Sequence, residues 1–142
     1  MALLWFLIAF FGMEAASWFI HKYLMHGFLW HIHRTHHQHN AGFFELNDLF
    51  SLFFGSVAVF LIFLGVKELD MRFWLGIGIS AYGLVYFILH DVLIHRRLKW
   101  FNRSKNPYLK ALQKAHAAHH KVASKDGSES FGLLVVAKKF FS

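Results

Sequence analysis

Three long apolar runs alternate along this chain with polar, histidine-bearing stretches. The first runs from Ala2 to Ile20 and is broken only by Glu14 and Ser17; the second spans Leu49 to Val66 and the third Met71 to Leu89. Each is close to the ~20 residues that carry a helix across the hydrocarbon core of a bilayer. The first run has neither a basic leader region nor a clear cleavage site, so it predicts an anchor rather than a signal peptide. The short polar turn Lys67–Asp70 joins the second and third runs into an antiparallel hairpin. After a basic stretch comes "NPYLKALQKAHAAHHKV", where Asn106 suits an N-cap and Pro107, the single proline, suits the first helical position. Leu109, Leu112, His116 and His119 then share a face, which predicts a helix lying on the membrane surface or the bundle. The tail "FGLLVVAKKFF" is too short to cross and is expected in the interface or packed on the bundle. The pattern predicts an all-α fold. It is an integral membrane bundle of three to four transmembrane helices, one domain over residues 1–142, capped by histidine-bearing segments 21–47 and 90–130.

Composition agrees with lipid as the solvent. Of the 142 residues, 56% are hydrophobic, 19% aromatic and 16% charged, more apolar side chain than a soluble domain of this size can bury. There is no cysteine. That excludes disulfides, thiolate zinc sites, a haem-attachment motif and iron–sulfur clusters within the chain. The formal net charge of +7 is unevenly placed: nine Lys or Arg and no acid lie between Arg96 and Lys125. The positive-inside rule puts that half in the cytoplasm. Counting crossings backward, the loop from His26 to Asp48 is also cytoplasmic, and every histidine then falls on one membrane face.

Ten of the twelve histidines form four groups: His21 and His26; His33, His36 and His37; His90 and His95; and His116, His119 and His120. Residues three and four apart share a helical face, so the two HxxHH triplets each predict convergent imidazoles. The pairs five apart diverge by ~140° on a regular helix, unless the helix ends or bulges there. That suggests each member reaches a different ion. Ten imidazoles are too many for one ion and suffice for two; imidazole suits iron, copper, nickel and zinc. Carboxylates that orient the rings are then expected, with Glu45, Asp48, Asp91 and Glu129 as candidates. Glu14 lies within an apolar run, where an acid is costly and marks function, seven residues before His21. It is expected to hydrogen-bond a polar group in the bundle near the metal end. His31 and His39 belong to no group and read as interfacial or solvated side chains.

These groups, in this order between these runs, resemble the fatty-acid hydroxylase superfamily of membrane di-iron enzymes, and most closely its bacterial β-carotene hydroxylases. The likeness extends to the linking residues of "GMEAASWFIHKYLMHG", "HRTHH", "FFELNDLF", "AYGLVYFILHDVLIHRR", "YLKALQKAHAAHH" and "SFGLL", and covers nearly the whole chain. It implies a monooxygenase that 3-hydroxylates the β-ionone rings of β-carotene, giving β-cryptoxanthin and then zeaxanthin. It also implies two iron ions held by the ten grouped histidines, O₂ as co-substrate and reduced ferredoxin as electron donor. The localisation implied is the bacterial inner membrane, with the carotenoid arriving from the bilayer and the active site on the cytoplasmic face. An oligomer is left open and no nucleic-acid partner is expected. The chain is short at its C-terminus against the family pattern, without loss of a motif.

The residues themselves agree. Hydroxylating an unactivated C–H needs the oxidising power of O₂ on reduced iron. The chain carries no Gly-rich dinucleotide fingerprint, so its electrons come from a separate donor, and a basic face suits an acidic one. Gly76, Gly78 and Gly83 either open a channel or let helices pack closely. Alternatives sharing the histidine pattern are a carotenoid ketolase and a fatty-acid or sterol hydroxylase or desaturase. A metal transporter would need polar residues along its spans, and a bis-histidine haem protein would need its ligands inside the membrane.

Overall fold

The computed structural model describes residues 1–38, 43–98 and 104–141. Among these residues all regular structure is helical. The elements are α1 (Ala2–Phe19) running on as a π-helical segment Ile20–Met25, α2 (Trp30–His37), α3 (Asp48–Gly65), α4 (Met71–Tyr86) running on as a second π-helical segment Phe87–Ile94, α5 (Pro107–His120) and a 3₁₀ turn at Lys138–Phe141. Three stretches are long and apolar enough to cross a membrane: Ala2–Met25, Asp48–Gly65 and Met71–Ile94. The first and third are longer than their apolar runs, because each helix continues through its first histidine as the wider π form.

The span surfaces have the character of a lipid-facing bundle. Leu3, Phe11, Leu52, Val59 and Phe63 are each more than half exposed in the isolated chain. An apolar surface of that extent needs an apolar solvent. Helix α4 is the central element, packing on α1 and on α3. Two glycines allow it. A Cβ on Gly76 would lie 2.7 Å from the Ala58 carbonyl oxygen of α3, and one on Gly78 would lie 2.7 Å from Ala9 Cβ of α1. Small residues at such contacts let membrane helices approach closely. Gly76 and Gly78 are therefore packing residues. Gly83 is different: nothing lies within 4 Å of its Cβ position.

At the other end the expected caps form. The Asn106 side chain accepts from the N–H groups of Tyr108 (2.9 Å) and Leu109 (3.2 Å), with Pro107 at the start of α5. Ala111, Leu112, Ala115 and His119 are its buried face. The tail packs back on the bundle, with Leu133 buried.

Candidate metal centre

The two π-helical segments set the positions of four histidines. In a π turn the backbone bonds run from i+5 to i: His26 N–H donates to the His21 carbonyl at 3.1 Å, and His95 N–H to that of His90 at 2.9 Å. The wider turn aligns residues five apart, which a regular helix would turn away from each other. Each pair therefore points to one place rather than to two ions, as regular helical spacing suggests.

The HxxHH triplets behave in the opposite way. Imidazole nitrogens of His21, His26, His33, His37 and His119 gather within 4.8 Å of one another, and those of His36, His95, His116 and His120 form a second gathering. His90 joins the second, its Nε2 lying 3.1 Å from His36 Nε2. In α2 the i and i+4 members (His33, His37) enter the first group and the i+3 member (His36) the second. In α5 His116 and His120 enter the second and His119 the first. Residues i+3 and i+4 stand ~100° apart around a helix, enough to address neighbouring sites. Convergence of each triplet on one point is thus corrected: α2 and α5 each serve both groups, and all ten grouped histidines meet in one cage.

The donor chemistry of this cage fits a metal pair. Seven rings have Nδ1 on an oxygen that can only accept. His21 donates to Phe131 O (2.9 Å), His26 to Lys125 O (2.9 Å), His37 to Val122 O (3.1 Å) and His119 to Glu129 O (2.8 Å). His33 donates to Asn47 Oδ1 (2.8 Å), His36 to Glu45 Oε2 (2.9 Å) and His90 to Asp91 Oδ1 (2.8 Å). A neutral imidazole with its proton on Nδ1 carries a lone pair on Nε2. Yet Nε2 of His21 lies 3.0 Å from that of His33, and Nε2 of His26 lies 3.2 Å from that of His119. The His36–His90 approach is of the same kind. Facing lone pairs repel, and a cation between them removes the conflict. His120 Nε2 is buried without a hydrogen-bond partner, a further free donor atom for a metal.

Burial, with mutual repulsion among the rings, favours the neutral form of His33, His37, His95, His119 and His120. It lowers His33, His95 and His119 to about 3, His37 to about 4 and His120 to about 2. Neutral rings are the metal-binding form. The same shifts predict acid lability of the metal-free cap. Its unfolded chain takes up protons below ~6.5, the ordinary histidine value, while the folded cage refuses them, so stability falls as pH drops. Thermal melting of metal-free protein in detergent is expected to show a lower midpoint at pH 5 than at pH 7; an equal or higher one would contradict the neutral cage.

The acidic candidates divide. Glu45 and Asp91 accept from histidine rings, and Arg97 ties them together, 3.3 Å from Glu45 and 4.0 Å from Asp91. Among the described residues Asp48 hydrogen-bonds no histidine; it holds Arg97 at 2.8 Å and the Glu45 N–H at 2.9 Å. Glu14 hydrogen-bonds no described histidine either, and binds Tyr82 and the backbone of the tail instead. The Glu129 carboxylate pairs with Lys139, while its backbone carbonyl serves His119. His31 is exposed, its Nδ1 directed at the Phe28 carbonyl, and His39 lies outside the described residues. Sequence reasoning missed Asn47 and the four carbonyls after α5. Asn47 carried a signal, standing between Glu45 and Asp48 at the head of a span. Backbone carbonyls carry none.

A cavity of about 360 Å³ adjoins the cage, in the groove that α1 and α3 leave over α4. Phe54, Ala58, Ile79 and Phe87 make its wall apolar, and Asn47 and Asp91 reach its polar end. A smaller pocket of about 40 Å³ lies among His21, His33, His90 and His116. Ser17, Met25 and Tyr86 line both and form their common boundary. The Tyr86 ring stacks on His90 with centroids 4.5 Å apart. On the cavity's rim Gly55 and Gly83 are exposed, which in a bilayer means exposed to lipid.

The family model for fatty acid hydroxylases matches residues 6–141. A β-carotene hydroxylase of Pantoea ananas is 43% identical over 123 residues, covering 87% of this chain and 70% of that protein. One of Pseudescherichia vulneris is 42% identical over 127 residues, 89% of this chain and 72% of that protein. One of Paracoccus sp. (strain PC1) is 36% identical over 123 residues, 86% and 76% respectively. No solved structure matches. With a match over nearly its whole length, and relatives similar to it over most of theirs, the chain belongs to the fatty acid hydroxylase family.

Proposed function

We propose that this protein is a membrane monooxygenase that hydroxylates the β-ionone rings of β-carotene at carbon 3, giving β-cryptoxanthin and then zeaxanthin. The observation that carries the reading is an apolar cavity among the span helices that adjoins a cage of ten histidines across Ser17, Met25 and Tyr86, in a chain whose bacterial relatives are named β-carotene hydroxylases. The cofactor is a pair of iron ions held by His21, His26, His33, His37 and His119 on one side and His36, His90, His95, His116 and His120 on the other. When bound, the pair supplies the redox chemistry that uses O₂ against an unactivated C–H. The reaction balances as C–H plus O₂, two electrons and two protons giving C–OH and water. The electrons come from an external donor such as reduced ferredoxin, for which the basic stretch from Arg96 to Lys125 is a suitable docking face. That stretch also orients the cage to the cytoplasmic side of the bacterial inner membrane. Residues 1–142 act as one domain.

The chain's own residues position the reaction. The apolar walls of α1, α3 and α4 bind the ring end of a carotenoid entering from the bilayer and exclude water. A pocket of a few hundred Å³ is the ordinary size for such a ligand. Met25 and Tyr86 stand where the ring meets the cage. Asp91 and Glu45 hold His90 and His36 through Nδ1, fixing ring orientation and raising basicity. Replacing Asp91 by Asn is accordingly expected to weaken binding of one ion by ~10–100-fold, read by titrating metal-free protein.

The deciding experiment is pigment analysis of a host that accumulates β-carotene, with and without this chain and with a His119→Ala control. Zeaxanthin from the wild type alone supports the proposal. Keto products would replace it with a ketolase. Unchanged β-carotene, with protein and donor present, would overturn it in favour of fatty-acid or sterol substrates.

A further inference from the structure

Glu14 lies in the first span, only 9% exposed, and all its contacts use it as an acceptor. Its Oε2 accepts from the Tyr82 hydroxyl at 2.8 Å. Its Oε1 accepts from three successive backbone N–H groups, those of Leu133 (3.1 Å), Leu134 (2.8 Å) and Val135 (3.3 Å). Successive N–H groups converging on one oxygen form an anion-binding concavity. Only one of the four donors belongs to a neighbouring span. An acid serving helix packing alone would bind the neighbouring helix; this one chiefly binds the tail.

The segment tied down in this way runs from the end of α5 to the Glu14 contact. It supplies the carbonyls of Val122, Lys125, Glu129 and Phe131, the Nδ1 partners of His37, His26, His119 and His21. Four of the five rings in the first histidine group are therefore oriented by this one strap. In the second group His36 and His90 are oriented otherwise, by Glu45 and Asp91, and Glu14 hydrogen-bonds neither carboxylate. Between Val122 and Gly127 most residues of the strap are exposed, so little burial holds it there. Besides the four histidine rings, its ties among the described residues include the Tyr108 hydroxyl on Leu134 O at 2.6 Å, the Ser128 hydroxyl on His119 O at 3.3 Å, the Lys139–Glu129 pair and Glu14. Gly132 lets the strap close on the carboxyl: a Cβ there would lie 3.1 Å from Oε1.

We propose that Glu14, from inside the membrane, is a positioning residue for one metal of the pair: it docks the strap whose carbonyls orient the first histidine group and leaves the second group unaffected. This rests on the two-metal reading above, and not on which lipid is hydroxylated.

The test is anaerobic titration of the full-length metal-free protein in detergent with ferrous ion alone. Wild type is expected to take up two ions per chain. Glu14→Ala is expected to bind one with wild-type affinity and the other ~10–100-fold more weakly, the loss usual when a ligand's outer partner is removed. Amide exchange over residues 122–135 should quicken in parallel. Gly132→Val, which leaves the span intact and pushes the strap away, should give the same selective loss, and decides the matter if the Ala variant does not fold. Glu14→Gln keeps an acceptor oxygen and should recover part of the weaker site. A merely structural acid would weaken both ions or neither. Two tight ions in both Glu14→Ala and Gly132→Val, or equal weakening of both, would overturn the proposal. A wild type binding fewer than two ions would sink the two-metal reading and this inference together. Two ions without carotenoid product would sink only the choice of substrate.

Discussion

A chain carrying His36→Ala is expected to make no detectable hydroxylated carotenoid, a fall of more than the ~100-fold typical of losing a ligand's outer partner. His36 is the i+3 member of its triplet and is buried at 4% exposure. Its Nε2 faces that of His90, and its ring centroid lies 4.2 Å from that of His95 and 4.8 Å from that of His120. Removing it opens the second group from three sides at once. It also strands Glu45, whose carboxylate loses the ring it accepts from. Metal content should drop from two ions toward one. His31→Ala, five residues upstream and exposed, should leave both activity and metal content unchanged. Pigment analysis beside metal analysis of the purified variants checks both. Full activity in His36→Ala would remove this residue from the centre, whatever the rest of the cage does.

The membrane bundle, the cap of α5 and the membership of the cage were all legible in the sequence, for separate physical reasons. Apolar runs of span length have few other solutions, and Asn106–Pro107 is a local signal whose capping bonds depend only on nearby residues. The ten histidines were identified because nothing but shared chemistry explains four groups at one face. Their allocation was not legible. A histidine five residues from another gives no sign that the helix will widen to the π form, so His21 and His26 appeared divergent. A triplet such as "HRTHH" gives no sign that two sites flank its helix, so His36 appeared to join His33 and His37. The orienting groups were half legible. Carboxylates such as Glu45 and Asp91 are visible as residue types, while the carbonyls of Val122 and Phe131 are defined only by the path of the chain. Glu14 was legible as an anomaly, an acid in an apolar run, but Tyr82 lies 68 residues away in sequence and its tail partner Leu134 lies 120.

That division has a chemical consequence. The first histidine group is backed by backbone carbonyls and an amide, the second partly by carboxylates bridged through Arg97. A carboxylate behind an imidazole makes it a stronger donor than a carbonyl does. The two ions of the proposed pair would therefore sit in unequal fields, the more electron-rich one beside His36 and His90. Tyr86, stacked on His90, brings the cavity boundary against that same side.

Closing the cavity is expected to abolish turnover while leaving the metals in place. Gly83→Phe is the substitution to make. Gly83 lines the cavity, has no atom within 4 Å of its Cβ position, and stands on the exposed side of α4. A helix tolerates a side chain there better than it does glycine, so folding is not the obstacle. The added ring would occupy the space through which a carotenoid end enters, one turn from Tyr86. A displacement of about 1 Å from productive geometry costs ~100-fold, and exclusion of the ring costs at least that. The effect should fall on kcat/KM for β-carotene with two ions still bound. Gly12→Phe, on a lipid-facing position of α1 with equally open surroundings, should retain activity. Gly78→Ala should instead disturb the bundle, since its Cβ would meet Ala9. If Gly83→Phe turned over β-carotene at the wild-type rate, the substrate would have to reach the histidines by another route. The groove over α4 would then be a lipid site, and the orientation of the reacting ring would have to be sought on the α5 side of the cage.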